Sequence, residues 1–217
     1  MEILMTKTPN AEKAPRKVLA FSVETNDPEE SNIQFATSNA AARRQGADQI
    51  GTDFGGIVSC RRAQWADQYA DLRYIPAKAY IDAGWWFDCN HCGTRCDSDA
   101  CRWDEESDTD IPLDLVFDGR VVYCSAECKS GHDAEVSARN AKFEAFKAAA
   151  ADAQPGVTFT GFTGGYPYCA NSGKFNFPGA QYSGSVSDTE ESTELTWWIC
   201  AVDKDAWDRF IAEQSAS

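Results

Sequence analysis

Two cysteine pairs carry the most legible chemistry in the chain: Cys89 and Cys92 in FDCNHCG, residues 87–93, and Cys124 and Cys128 in VVYCSAECK, residues 121–129. Two residues between cysteines let the backbone bend into a knuckle whose sulfurs reach one ion. The i, i+4 spacing of the second pair puts both thiols on one face of a starting helix. The pairs thus offer four converging thiolates, a set that Zn²⁺ accepts tetrahedrally at about 2.3 Å per sulfur without redox chemistry. A helix N-terminus adds its positive dipole end and free N–H groups, which favour thiolate charge. Cys96 and Cys101 lie between the pairs. They leave open a set of Cys89, Cys92, Cys96 and Cys101, or a second, partial site involving His91 or His132.

The elements that must position these residues follow from pattern. KVLAFSVET (17–25) and SNIQFATS (31–38) are apolar and β-branched enough for paired strands, and Ser38 is placed to cap a helix over NAAARRQGADQI. After Gly51, FGGIVSCRR (54–62) reads as a third strand, giving a β-β-α-β unit. Pro76 and Gly84 bracket a short helix that delivers the chain to WWFDC. DSDACRWDEESDTD (97–110) has no periodicity and reads as a solvated acidic loop, without the spaced pattern of a calcium site. Two apolar runs around Asp118-Gly119 make a hairpin up to Cys124. From Ser125, alanine-rich sequence with Val136, Phe143 and Phe146 at helical spacing runs to the Pro155-Gly156 stop. GVTFTGFTGGYPYC, KFNFPGAQYSG and ELTWWICAV alternate as an antiparallel sheet, and Asp203 or Asp205 is placed to cap a last helix through AWDRFIAE. The expected fold class is α+β, with a solvated tail over 1–16, an N-terminal α+β unit over 17–84, a zinc module with acidic insert and long helix over 85–155, and a C-terminal antiparallel sheet plus helix over 156–217.

A knuckle, a hairpin and then a helix carrying the second pair is the order of a treble-clef finger. VVYCSAECK resembles the second half of treble-clef zinc fingers of the MYM, TRASH and MYND types, in which Tyr or Phe precedes Cys-Ser-x-x-Cys. The resemblance covers roughly residues 85–135 and implies Cys89, Cys92, Cys124 and Cys128 as the ligands of one zinc ion. Four protein ligands close the site, so such an ion is structural and has no open position to activate water. The departures from the pattern are Cys96, Cys101 and the acidic insert. A second resemblance runs along the whole chain. FATSNAAARRQGADQIG and VSCRRAQWADQY ahead of a treble-clef centre are similar to accessory proteins of bacteriophages and prophages, and no catalytic motif comes with it.

Charge narrows the partners. The net charge of −14 opposes non-specific binding to nucleic acid or an anionic membrane. Residues 89–129 alone carry 10 acids against 4 bases. The sequence shows no apolar run of the ~20 residues that a membrane span needs and no signal-peptide core, so the cytoplasm of a bacterial host is the expected compartment. Nine cysteines in a reducing compartment suit metal binding plus buried thiols, and Cys60, Cys169 and Cys200 are expected to fill core space within strands. In each of the pairs Trp85-Trp86 and Trp197-Trp198, one indole is expected in the core and the other half-exposed.

With two histidines and no set of nucleophile, base and orienting group, the expected function is non-enzymatic. It is that of a phage-encoded accessory protein binding a host or viral protein through acidic and aromatic surface, one version being an anti-defence inhibitor. The alternative is a zinc-finger protein that binds nucleic acid through the arginines of AARRQ and CRRAQW. An enzyme using a cleft carboxylate or Cys200 comes third.

Overall fold

Alternation of side chains builds the first strands. A computed structural model describes residues 17–72, 74–189, 192 and 194–215; the tail expected over 1–16 lies outside them. Strand β1, Leu19–Glu24, buries Ala20, Phe21 and Val23. It pairs antiparallel with β2, Asn32–Ala36, after a 3-10 turn that Asp27 caps by accepting from Glu29 N. Helix α1, Asn39–Ile50, starts where Ser38 accepts from Ala41 N and stops at Gly51, whose φ of 82° is the left-handed conformation glycine adopts without strain. Strand β3, Ser59–Arg62, takes the other edge of β1, giving the order β2-β1-β3. Phe21, Val23, Ala36, Ala42, Ala47 and Ile57 form a core cluster here. Gly46 makes its close packing possible, since a Cβ there would stand 2.5 Å from Val23 Cγ1. The strand expected over 54–62 is shortened because Asp53 turns the chain: its carbonyl and carboxylate both accept from Gly56 N.

Beyond β3, Arg62 and Asp67 meet in a two-point ion pair, with nitrogen–oxygen distances of 3.0 and 2.6 Å, and Asp67 also accepts from Ala20 N at 2.8 Å. The Arg62 guanidinium first, and the Ala20 amide second, hold the Asp67 carboxyl at a pKa of about 2. Helix α2, Ala77–Asp82, follows Pro76 and is succeeded by Gly84 at φ 86°. Trp65, Tyr80 and Trp85 pack edge to face, and burial pushes the Tyr80 phenol up. Both Trp85 and Trp86 are half-buried, Trp85 against the cluster of Ile33, Ala63, Ala66 and Ile75, so the half-exposed member expected of the pair is present and the fully buried one is not.

Short hairpins follow. Strand β4, Phe87–Asp88, pairs with β5, Arg95–Cys96. Strand β6, Cys101–Asp104, pairs with β7, Thr109–Pro112, where the sequence suggests only a loop. The turn between them is made by polar chemistry: Asp104 accepts from Ser107 N at 3.0 Å and from its hydroxyl, which keeps the Asp104 carboxyl below its usual range, and Asp108 takes a φ of 53°. Strands β8, Val116–Asp118, and β9, Val121–Tyr123, turn at Gly119, as Asp118-Gly119 leads one to expect.

Helix α3, Ala126–Ala153, is 28 residues long and is capped by Ser125, which accepts from Cys128 N. The C-terminal sheet has four antiparallel strands in sequential order: β10, Thr158–Thr163; β11, Ser172–Asn176; β12, Gly184–Ser187; and β13, Thr196–Trp198. Helix α4, Lys204–Ser215, completes this part. Phe146 and Ala150 of α3 share a core cluster with Phe175, Phe177, Val186 and Phe210; Trp197 packs against it half-buried while Trp198 is 63 % exposed, so this pair divides in the expected sense but lies further out than expected. Asp203 does not cap α4. Its buried carboxylate accepts from Gln181 N and Tyr182 N, each at 2.8 Å. Two compact units result, one made of the chain up to Cys89 with Gly93–Cys124, the other of Asn90–Cys92 with Ser125–Ser217. The fold class is α+β with small antiparallel sheets, one long helix and a terminal helix, as the sequence implies.

Candidate metal centre

Cys89 follows β4 directly, and its backbone closes a knuckle: Cys89 N donates to Thr94 O at 2.7 Å and Gly93 N to Cys89 O at 3.0 Å. Gly93 has a φ of 76°, which is why glycine follows the second cysteine of this pair. Cys124 follows β9, and Cys128 occupies the third residue of α3, where Ser125 Oγ accepts its amide at 3.2 Å. The capping serine sets a helix start that carries Cys128 alone; Cys124 stands one residue before the cap, so the two thiols do not share a helix face as their spacing suggests, and the turn at Ser125 brings them together instead.

The four sulfurs of Cys89, Cys92, Cys124 and Cys128 all lie within 4.8 Å of one another. A tetrahedral ion bonded to each sulfur at about 2.3 Å holds its ligands about 3.8 Å apart, so the set closes on an ion by small side-chain rotations. Cys89 is buried, Cys124 and Cys128 are half-buried and Cys92 is exposed. Cys124 N donates to Cys89 Sγ at 3.3 Å, a contact that favours thiolate over thiol. Four soft anionic donors in this arrangement suit a metal ion of the zinc class.

Neither insert cysteine belongs to that group. Cys96 is fully buried and donates to Thr94 O at 3.4 Å, while Cys101 is exposed at the start of β6. Among the remaining thiols, Cys60 fits the expectation in part: it is half-buried in β3, and burial pushes its thiol up, partly offset by Arg43. Cys169 and Cys200 do not fill core space. Both are exposed, and both lie outside the strands, while the buried cluster of this part is built on Phe146, Phe175, Phe177 and Phe210.

The two histidines come together with Glu135, which no sequence motif singles out. One ligand atom each from His91, His132 and Glu135 forms a second group within 4.8 Å. Its trace in the sequence is the bare spacing His132-x-x-Glu135, an i, i+3 pair on one face of the long helix. Comparison with protein-family models, with curated proteins and with solved structures gives no match.

Proposed function

We propose that the four cysteines hold a structural Zn²⁺ in a treble-clef arrangement of the MYM, TRASH and MYND kind. We further propose that the chain is a non-enzymatic accessory protein of a bacteriophage or prophage, which binds a host or viral protein in the bacterial cytoplasm. The order of knuckle, β8–β9 hairpin and α3 supports the zinc reading, together with the four-sulfur group. The observation that carries the binding role is the β6–β7 hairpin. Trp103 is 59 % exposed there, beside the exposed carboxylates of Glu105, Glu106, Asp108 and Asp110. An exposed indole on a hairpin rich in exposed carboxylates suits a basic partner surface: the ring anchors, and the charges steer encounter. A nucleic-acid-binding protein of a host defence system presents such a surface, which is the anti-defence version of this reading.

The alternative, a zinc finger that grips nucleic acid, draws on Arg43, Arg44, Arg61 and Arg62. Two of these have structural work. Arg43 donates to the carbonyls of Phe54 and Ile57, and Arg62 is held by Asp67 and the Ala20 carbonyl. No helix among the described residues is long and apolar enough to cross a membrane.

The test is affinity capture from nuclease-treated bacterial lysate, with the native protein and with a hairpin variant carrying Trp103→Ser, Glu105→Lys and Glu106→Lys. A partner retained by the native protein and lost by the variant is the expected outcome. Equal capture by both, or direct salt-sensitive binding of DNA or RNA to the purified protein, contradicts it.

A further inference from the structure

His132 lies near the start of α3 and is buried, and Glu135 stands one turn further along the same face of the helix. His91, at the tip of the cysteine knuckle, lies against that face: its Nδ1 is 3.9 Å from Glu135 Oε2, and the two imidazoles meet edge to face with centroids 6.4 Å apart. All three residues belong to the same compact unit. The approach of His91 depends on Gly131, where a Cβ would stand 2.8 Å from His91 Nε2. Glycine inside a helix costs stability relative to alanine, and at this position the absent side chain makes the space the imidazole occupies.

The surrounding contacts are of the kind that orient ligands. Arg139 Nη2 holds Glu135 Oε1 at 2.9 Å, which aims the other carboxylate oxygen at His91. Asn90 Nδ2 lies 3.3 Å from His132 Nε2, and the Tyr166 ring packs edge-on against the same imidazole at 5.1 Å.

We propose that His91, His132 and Glu135 form a second metal site, separate from the four thiolates, for a borderline divalent ion such as zinc, cobalt or nickel. Two imidazoles and a carboxylate are donors these ions share. Bonds of about 2.0–2.2 Å set tetrahedral ligand atoms about 3.4 Å apart, so the His91–Glu135 pair at 3.9 Å closes by about half an ångström. Three protein ligands leave the fourth position to water or to a donor from a partner, so this ion exchanges and accepts a ligand where the four-thiolate ion does not.

The proposal goes beyond the four-thiolate reading but uses the knuckle that reading describes, so the experiment counts the two ions separately. Full-length protein is loaded with zinc, desalted, assayed for tightly held metal and titrated with Co²⁺ in a calorimeter, with absorption spectra taken alongside. One further equivalent should bind without a sulfur-to-cobalt charge-transfer band. His91→Ala and Glu135→Gln should each weaken that equivalent by at least about tenfold while keeping the first zinc and the melting temperature. Gly131→Ala, which crowds His91, should weaken it as well. No second equivalent in the native protein, or one that both ligand variants leave unchanged, overturns the proposal. Loss of the first zinc alone is failure of the four-thiolate reading; the second site then stands or falls on whether Glu135→Gln alters the nitrogen- and oxygen-bound cobalt spectrum.

Discussion

The amide of Cys124 donates to the sulfur of Cys89 across 3.3 Å, tying the residue that follows the β9 strand to the first cysteine of the knuckle. A sulfur that accepts an amide proton and faces three other sulfurs is suited to carry negative charge, and that charge is compensated when an ion shares it. The consequences for single cysteines differ sharply.

Cys124→Ser should reduce bound zinc below about half an equivalent and abolish cooperative melting, because structural zinc contributes roughly 10–16 kcal/mol in finger peptides, as much as the 5–15 kcal/mol net stability of a whole domain. Cys101→Ser, at an exposed position, should leave zinc content and melting unchanged. Cys96→Ser should keep full zinc with a modest loss of about 1–2 kcal/mol, since its buried sulfur packs and donates to Thr94 O but lies outside the four-sulfur group. Elemental analysis and thermal melts on the three variants check the order; zinc retained by Cys124→Ser and lost by Cys96→Ser reverses it.

Asp67 gives the N-terminal unit a defined acid response. Its folded pKa of about 2 lies below the ordinary carboxylate value near 3.9. The native state therefore binds fewer protons than the unfolded state in this range, and the stabilisation, complete above about pH 4, is lost as pH falls towards 2. Asp67→Asn should lower the melting temperature at pH 7 and flatten its pH dependence between about pH 4 and 2. Parallel melting-temperature curves for the two proteins would contradict the assignment.

Asp203 should matter more than its surface-like sequence context suggests. Asp203→Ala leaves the amides of Gln181 and Tyr182 without their acceptor, at a cost of roughly 2–3 kcal/mol. Asp203→Asn, which keeps one carbonyl oxygen, should cost less. Urea unfolding checks both, and an unchanged midpoint for Asp203→Ala contradicts the structural role.

Phe175 is fully buried at the centre of the C-terminal cluster, meeting Phe159 and Trp197 edge to face and Phe177 and Trp207 at a tilt. Phe175→Ala should destabilise by about 3–5 kcal/mol, read as a lower urea midpoint at unchanged zinc content. A loss under about 1 kcal/mol indicates that the cluster repacks.

What was legible in the sequence was local. Ser38, Gly51, Ser125 and the Asp118-Gly119 turn act through their own backbone neighbourhood, so their positions announce helix ends and a hairpin. The cysteine spacings are legible for the same reason. The β6–β7 hairpin was hidden because Trp103 and its neighbours face solvent on both sides, which erases the alternation that marks a half-buried strand. Strand β12 was hidden because one of its two buried positions is Gly184, where a Cβ would stand 2.5 Å from Phe175 Cζ. Asp203 with its amides, and Glu135 with His91, depend on residues more than 20 positions away, and no local pattern encodes such pairings.

X-ray absorption at the zinc edge, on native protein carrying one tightly bound equivalent, tests the central claim most directly. The expected first shell is four sulfur scatterers at about 2.3 Å, falling to three or fewer, or to no zinc at all, in Cys89→Ser and Cys124→Ser. A first shell with two or more nitrogen or oxygen scatterers in the native protein, or a four-sulfur shell that survives both substitutions, contradicts the assignment of Cys89, Cys92, Cys124 and Cys128 as the ligands.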